Sequence, residues 1–166
     1  CSSDLSMSYG SVGGGPLNPG TGDNGSGAEA SLVNILSDAG VVCVVAIGND
    51  GANRVPSPAS ADQAITVGSV DDRNTVLRDD DIVSSFSNYG PREDDGDEDS
   101  YDEEKPDITS YGTNIMSATY ANTFSIPFPG AEANMASDGY DEKSGTSMAT
   151  PIASGVVAMM LEADSS

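Results

Sequence analysis

The chain is predicted to fold as an α/β protein, a doubly wound, mostly parallel sheet flanked by helices. Three observations predict this. Residues 41–47 (VVCVVAI) are a continuous apolar run rich in β-branched side chains, which is how a strand buried on both faces of a parallel sheet reads. A helix-periodic segment precedes that run and a Gly-Asn-Asp-Gly break follows it, the order of a right-handed parallel crossover. After residue 146 the chain closes on an apolar helix rich in small residues.

The elements follow in order. Residues 4–10 (DLSMSYG) alternate apolar Leu5, Met7 and Tyr9 with polar neighbours, a short strand. A loop rich in Gly, Pro and Asn covers 13–27. Ala28, Leu32, Ile35, Leu36 and Ala39 then recur at helical spacing, with Gly40 as the stop signal. The strand over 41–47 ends at Gly48-Asn49-Asp50-Gly51, and Pro56 and Pro58 keep the backbone irregular beyond it. Residues 64–70 form the next strand. A polar stretch over 71–81 leads to IVSSFS at 82–87. Between 93 and 104, nine of twelve residues are acidic, so a solvated loop is expected as an insertion at about 92–105. Ile108 and residues 114–118 read as short strands, and a polar region over 120–143 precedes the last helix. On that helix Met148, Ile152, Val156, Met159 and Met160 are assigned to one buried face, with Gly155 allowing close approach of a neighbour.

Composition bounds the function. A chain of 166 residues can bury one core, and one domain is the default. It contains no apolar run of membrane-spanning length. Acidic residues number 27 against 6 basic, a formal net charge of −21, which argues against partners whose phosphates would be repelled: nucleic acids and anionic membrane surfaces. Such charge strains the compact state by self-repulsion unless salt screens it, and so points to a salt-rich habitat. Cys1 and Cys43 permit one disulfide, whose formation is left open, and cannot make a four-thiolate metal site. Cys43 lies in the apolar run and reads as a small core residue. A chain that begins at Cys1 rather than Met is expected to be a fragment or a processed product.

The chemistry concentrates in Ser144-Gly145-Thr146-Ser147-Met148-Ala149-Thr150-Pro151. It sets a serine hydroxyl at the mouth of a helix, with a proline assigned to the first turn, where amides lack intrahelical partners. Those amides and the positive end of the helix dipole favour negative charge beside the serine. The plain alternative is that Thr146 or Ser147 merely caps the helix. Likewise Asn49 is either a side-chain amide held beyond a strand end or one member of an ordinary turn.

The octapeptide and the helix after it resemble the nucleophile segment of the subtilisin-like serine peptidases, the subtilases. Further blocks resemble that family in the expected order: LSMSYG at 5–10, VVAIGNDG at 44–51, residues 64–71, FSNYGP at 86–91 and KPDI at 105–108. The resemblance implies a subtilisin-like fold and peptide hydrolysis through an acyl-enzyme, with Ser147 as nucleophile. Its own N–H and the Asn49 side chain would be the oxyanion donors. Ser8, Tyr9 and Gly10 would line one wall of the primary specificity pocket. Ala46, Ile47 and Gly48 would line the other, Ile47 narrowing it. A polypeptide substrate would add to the sheet edge. No cofactor is required for such chemistry. Many subtilases carry structural Ca²⁺, yet residues 93–104 lack the spacing of a known calcium loop, so the metal assignment is left unknown. An extracellular or cell-surface location is implied as well.

Departures from the family pattern qualify this. There is no histidine. In subtilisins the triad runs Asp, His, Ser along the chain, so both missing members are expected upstream of Cys1. The chain is then the C-terminal part of a catalytic domain, inactive without the upstream half. The alternatives are a catalytically inactive scaffold that binds peptides or partners, and an acidic ion-binding protein. Ile152-Ala153 replaces the family's histidine and small apolar residue, and Ser110-Tyr111-Gly112 replaces its Ala-Pro-Gly.

Overall fold

The computed structural model describes residues 3–10, 22–97, 103–118 and 139–164. In chain order the elements are β1 (Ser3–Met7), α1 (Ala28–Asp38), β2 (Val41–Ala46), β3 (Ile65–Asp71), β4 (Ile82–Val83), β5 (Ile108–Tyr111), β6 (Ile115–Ala118), β7 (Tyr140–Lys143) and α2 (Thr146–Asp164). Strands β1, β2 and β3 lie side by side in parallel and β5 joins β3 in parallel, while β4 is a short antiparallel addition to β3. The fold is α/β with a mostly parallel sheet, as expected.

Alternation along β2 divides the core between the two helices. Cys43, Val45 and Ile47 face α1 in a cluster with Met7, Ala30, Val33 and Val55. Val44 faces α2 in a cluster with Val67, Ala149 and Ala153. Successive side chains of a strand point to opposite faces, so a run apolar at every position requires a helix on each side. That is the doubly wound arrangement.

Both helices bury a different face from the one the sequence suggests. On α1 the buried residues are Ala30 and Val33, whereas Leu32 and Ile35 are 59% and 62% exposed. On α2 the buried set is Thr146, Ala149, Thr150, Ala153 and Ser154; Met148 is half-buried, and Ile152, Val156, Met159 and Met160 are exposed. Among the described residues no heavy atom lies within 4 Å of where a Gly155 Cβ would stand, so Gly155 makes no close approach to any of them. The reason is geometric. A helix lies close to a sheet through small side chains, and the hydroxyls buried with them are satisfied within the helix. Thr150 Oγ1 donates to Thr146 O at 2.8 Å, and Ser154 Oγ donates to Thr150 O at 3.0 Å.

Three more expectations change. Residues 140–143, read as part of a polar connection, form β7 and pair antiparallel with β6. Pro151 is the sixth residue of α2, in its second turn rather than its first. The acidic segment is not wholly solvated: Glu103 is buried, as is the neighbouring Arg92, whose guanidinium bridges Asp62 and Asp95 at 3.1 Å each. Cys43 is a buried free thiol. Cys1, the loop over 13–21, the segment 98–102 and the region 120–138 lie outside the described residues.

Candidate active site

Register builds the site. Met7 pairs with Val45 across β1 and β2, so the two parallel strands end level and residues 8–10 emerge beside residues 46–48. The N-terminus of α2 reaches the same edge, since Ser147 contacts Ser8 there. This is the carboxyl end of the parallel strands, where open α/β sheets place their ligands.

Asn49 and Ser147, 98 positions apart by their numbers, meet at this edge through Thr146. Thr146 donates from its amide and its hydroxyl to Asn49 Oδ1, at 2.8 Å and 3.0 Å. The helix is therefore capped from a distant strand end rather than by a local side chain, and neither Thr146 nor Ser147 acts as its own cap. Because the amide oxygen is engaged by Thr146, Nδ2 is the group that Asn49 can offer to a ligand. Gly145 shows where it lies. A Cβ built on Gly145 would stand 3.7 Å from Ser147 N and 3.8 Å from Asn49 Nδ2. The Asn49 carboxamide, with Oδ1 also at 3.7 Å, and Ser147 N thus border one small region, and Ser147 N, a first-turn amide, has no carbonyl to bond within its own helix.

Pro151 accounts for the second contact. It lacks an amide hydrogen, so the carbonyl four residues earlier, Ser147 O, loses its usual helical partner. Ser8 Oγ donates to that carbonyl at 3.3 Å, and Ser147 Oγ donates to Ser8 O at 3.3 Å.

The sequence-derived wall residues divide by exposure. Ser8, Tyr9 and Gly10 are exposed, and Gly48 is half-buried. Gly10 and Gly48 both approach the Pro56 ring, with Cβ positions 3.5 Å and 3.7 Å from its Cγ. Ala46 is buried. Ile47 has no exposed surface, and its side chain packs in the α1-side core, so it does not narrow a cleft as the sequence suggested.

One neighbour that the sequence left without a role is Asn88, 1% exposed. Its Oδ1 accepts from Asp50 N at 2.8 Å and Ala52 N at 3.4 Å, and its Nδ2 donates to Ile47 O at 3.3 Å. An Asn in a polar FSNYGP string carries no signal that could single it out in one sequence. Away from this edge, the carboxylates of Asp94, Asp95 and Glu103 lie within 4.8 Å of one another. They offer the oxygen ligands a hard cation such as Ca²⁺ takes, although Asp95 already pairs with Arg92.

The fold is matched by known proteins. The family model described as the subtilase family matches residues 5–166. Serine protease AprX of Bacillus subtilis (strain 168) is 40% identical over 139 residues, covering 81% of this chain and 29% of AprX. Halolysin-like extracellular serine protease Nep of Natrialba magadii is 32% identical over 124 residues, 75% of this chain and 16% of Nep. Among solved structures, sphericase superposes with a TM-score of 0.68 at 26% identity, covering 99% of this chain and 44% of sphericase. The chain thus spans less than a third of the length of either relative. A match that runs through every block from the first strand to the last helix makes this chain a member of the subtilase family.

Proposed function

We propose that this chain is the nucleophile-bearing part of a subtilisin-type serine endopeptidase, which hydrolyses peptide bonds of polypeptides through an acyl-enzyme. The observation that carries the reading is the capping of Thr146 by Asn49 Oδ1, which leaves Asn49 Nδ2 and Ser147 N flanking one region. Ser147 Oγ attacks the scissile carbonyl. The oxygen that becomes negative is then held by the Ser147 amide and the Asn49 side chain, donors fixed before the reaction starts. Ser8, Tyr9 and Gly10 pair with the extended substrate on one side of its side-chain pocket, and the main chain of 46–48, whose Ile47 side chain is turned into the core, bounds the other.

With no histidine among the 166 residues, the base that takes the Ser147 proton and the carboxylate that orients it come from elsewhere in the catalytic domain. The isolated chain is then inactive, because a serine without a base is protonated and a poor nucleophile. No cofactor takes part in the chemistry. Among the described residues no helix is long and apolar enough to cross a membrane, and Nep is named as extracellular; the same location is proposed here.

A serine-directed phosphonate applied to the protein with its catalytic domain intact should modify Ser147 alone, read by peptide mass spectrometry. Modification of another residue, or of none, defeats the reading. The lack of histidine favours one rival, a subtilase-like scaffold that binds peptides without cutting them. An Asp-(Ser or Thr)-Gly block followed by His-Gly-Thr ahead of this chain would dismiss that rival.

A further inference from the structure

We infer that Asn88 is a positioning residue for Asn49, holding its side-chain amide where an oxyanion would form; the inference rests on the peptidase reading above. The turn that carries Asn49 has little of its own to hold it. Asn49, Asp50 and Gly51 are exposed, and the turn is entered and left through glycines at positive φ, Gly48 at +111° and Gly51 at +64°. Such glycines make the bend accessible but do not select one conformation of it.

Main-chain bonds tie the far side of the turn to 86–89, with Gly51 N donating to Phe86 O at 2.7 Å, but the residues on either side of Asn49 are gripped by one buried side chain. Asn88 binds both flanks of Asn49: its Nδ2 donates to Ile47 O and to Asp50 Oδ2 at 3.3 Å each, and its Oδ1 accepts from Asp50 N at 2.8 Å and Ala52 N at 3.4 Å. Its own amide donates to Gly48 O at 3.0 Å. The carboxamide is suited to this, because its oxygen takes two main-chain N–H groups while its nitrogen serves a carbonyl and a carboxylate. Contact is tight: a Cβ on Gly48 would stand 2.6 Å from Asn88 Nδ2.

Asn88 is in turn fixed to the sheet. Ser87 Oγ accepts from Ser69 N at 3.0 Å, and the Ser69 and Ser84 hydroxyls lie 2.8 Å apart, both buried. A continuous path therefore runs from β3 through Ser87 and Asn88 to the turn, and from Asn49 to the first residue of α2. Loss of Asn88 frees the turn at its centre while leaving the nucleophile on its helix.

The test uses the protein with its catalytic domain intact and combines kinetics with crystallography. Asn88→Ala should lower kcat by about 10²-fold, the scale of a misplacement of about 1 Å, with little change in KM. In an Asn49→Ala background the same substitution should cost less than about threefold, because the group it positions is already gone. Asn88→Ser serves if Asn88→Ala does not fold, with the same pattern at smaller amplitude. In the crystal, the Asn88 variant should lose the Asn49–Thr146 bond with the sheet and α2 unchanged. A full kcat loss on top of Asn49→Ala, or an Asn49 that keeps its hold on Thr146 in the variant crystal, overturns the assignment. An intact wild-type domain that cleaves no peptide defeats the peptidase reading instead, and the crystals still decide whether Asn88 positions Asn49.

Discussion

Ser8 and Ser147 exchange hydrogen bonds across 139 positions of sequence, each hydroxyl donating to the other residue's carbonyl at 3.3 Å. The exchange exists because Pro151 leaves Ser147 O without a helical amide, so the first turn of α2 is tied to the end of β1 instead. Ser8→Ala removes the hydroxyl that ties this turn but keeps the main-chain carbonyl that would pair with a substrate. At an exposed bond of about 1 kcal/mol, kcat should fall by about fivefold with KM unchanged. A rise in KM with kcat intact would assign Ser8 to substrate binding alone.

Asn49 offers a cleaner separation of structure from chemistry, because under the proposed peptidase function its two amide atoms have different duties. Asn49→Asp keeps an oxygen to accept from Thr146 N and Oγ1, but replaces the donor with a second acceptor that repels an oxyanion. Losing one such donor costs about 10²–10³-fold in kcat, a magnitude borrowed from subtilisin. The Asp variant should show at least that loss while melting within a few degrees of wild type. Equal loss of activity and stability in Asn49→Asp would mean that the residue is only a cap.

The parallel strands and the two segments that carry Asn49 and Ser147 were legible in the sequence, because each rests on a local signal. A β-branched run fixes β2, a Gly-flanked turn marks Asn49, and a serine in the first turn of a small-residue helix marks Ser147. What was illegible depends on partners. The largest apolar side chains of α1 and α2 do not face the sheet, since small Ala30, Ala149 and Ala153 let the helices come closer. Periodicity identifies an apolar stripe but not which stripe meets the sheet. Asn88 is likewise defined by where the main chain of 47–52 happens to pass.

The charge has a measurable consequence. With a net charge of −21, self-repulsion is screened over about 10 Å at 0.1 M salt and about 3 Å at 1 M. The melting temperature should therefore rise by several degrees across that range, equally with NaCl and KCl. A flat response removes self-repulsion from the account. A rise completed by millimolar Ca²⁺, with nothing further from NaCl, would point instead to a cation held by Asp94, Asp95 and Glu103.

Arg92 joins three segments, with a fully buried side chain that pairs with Asp62 and Asp95 and donates to the main-chain carbonyl of Asn24. Its removal leaves two carboxylates without their cation beside the start of α1. Breaking a fully buried pair costs about 3–5 kcal/mol; with Asp62 at 40% and Asp95 at 23% exposure, water recovers part of that, and about 2 kcal/mol is expected for Arg92→Met. Urea denaturation measures it. A cost below about 0.5 kcal/mol would place Arg92 with ordinary surface ion pairs.

Gly112 lies directly beneath the segment that carries Ser147, and its lack of a side chain is what lets that segment sit down. Its carbonyl accepts from Gly145 N at 2.7 Å, and its own amide donates to Val70 O at 3.1 Å, so the main chain here links β3 to the entry of α2. A Cβ at this position would stand 2.7 Å from Gly145 O and 3.1 Å from Ala149 Cβ, and would also press on the Ser69 hydroxyl. Two of these neighbours are buried core, and the third is the carbonyl that receives the Met148 amide at 2.9 Å. Neither Gly145 O nor Ala149 Cβ can yield without moving the helix start. Gly112→Ala should destabilise by about 1–3 kcal/mol, the usual cost of overpacking. In the intact catalytic domain it should also slow phosphonate labelling of Ser147, because the helix start shifts relative to Asn49. Gly112→Ala with wild-type labelling kinetics and an unchanged melting temperature would mean that α2 is free to ride outward, and that the link between β3 and Gly145 does not set the position of Ser147.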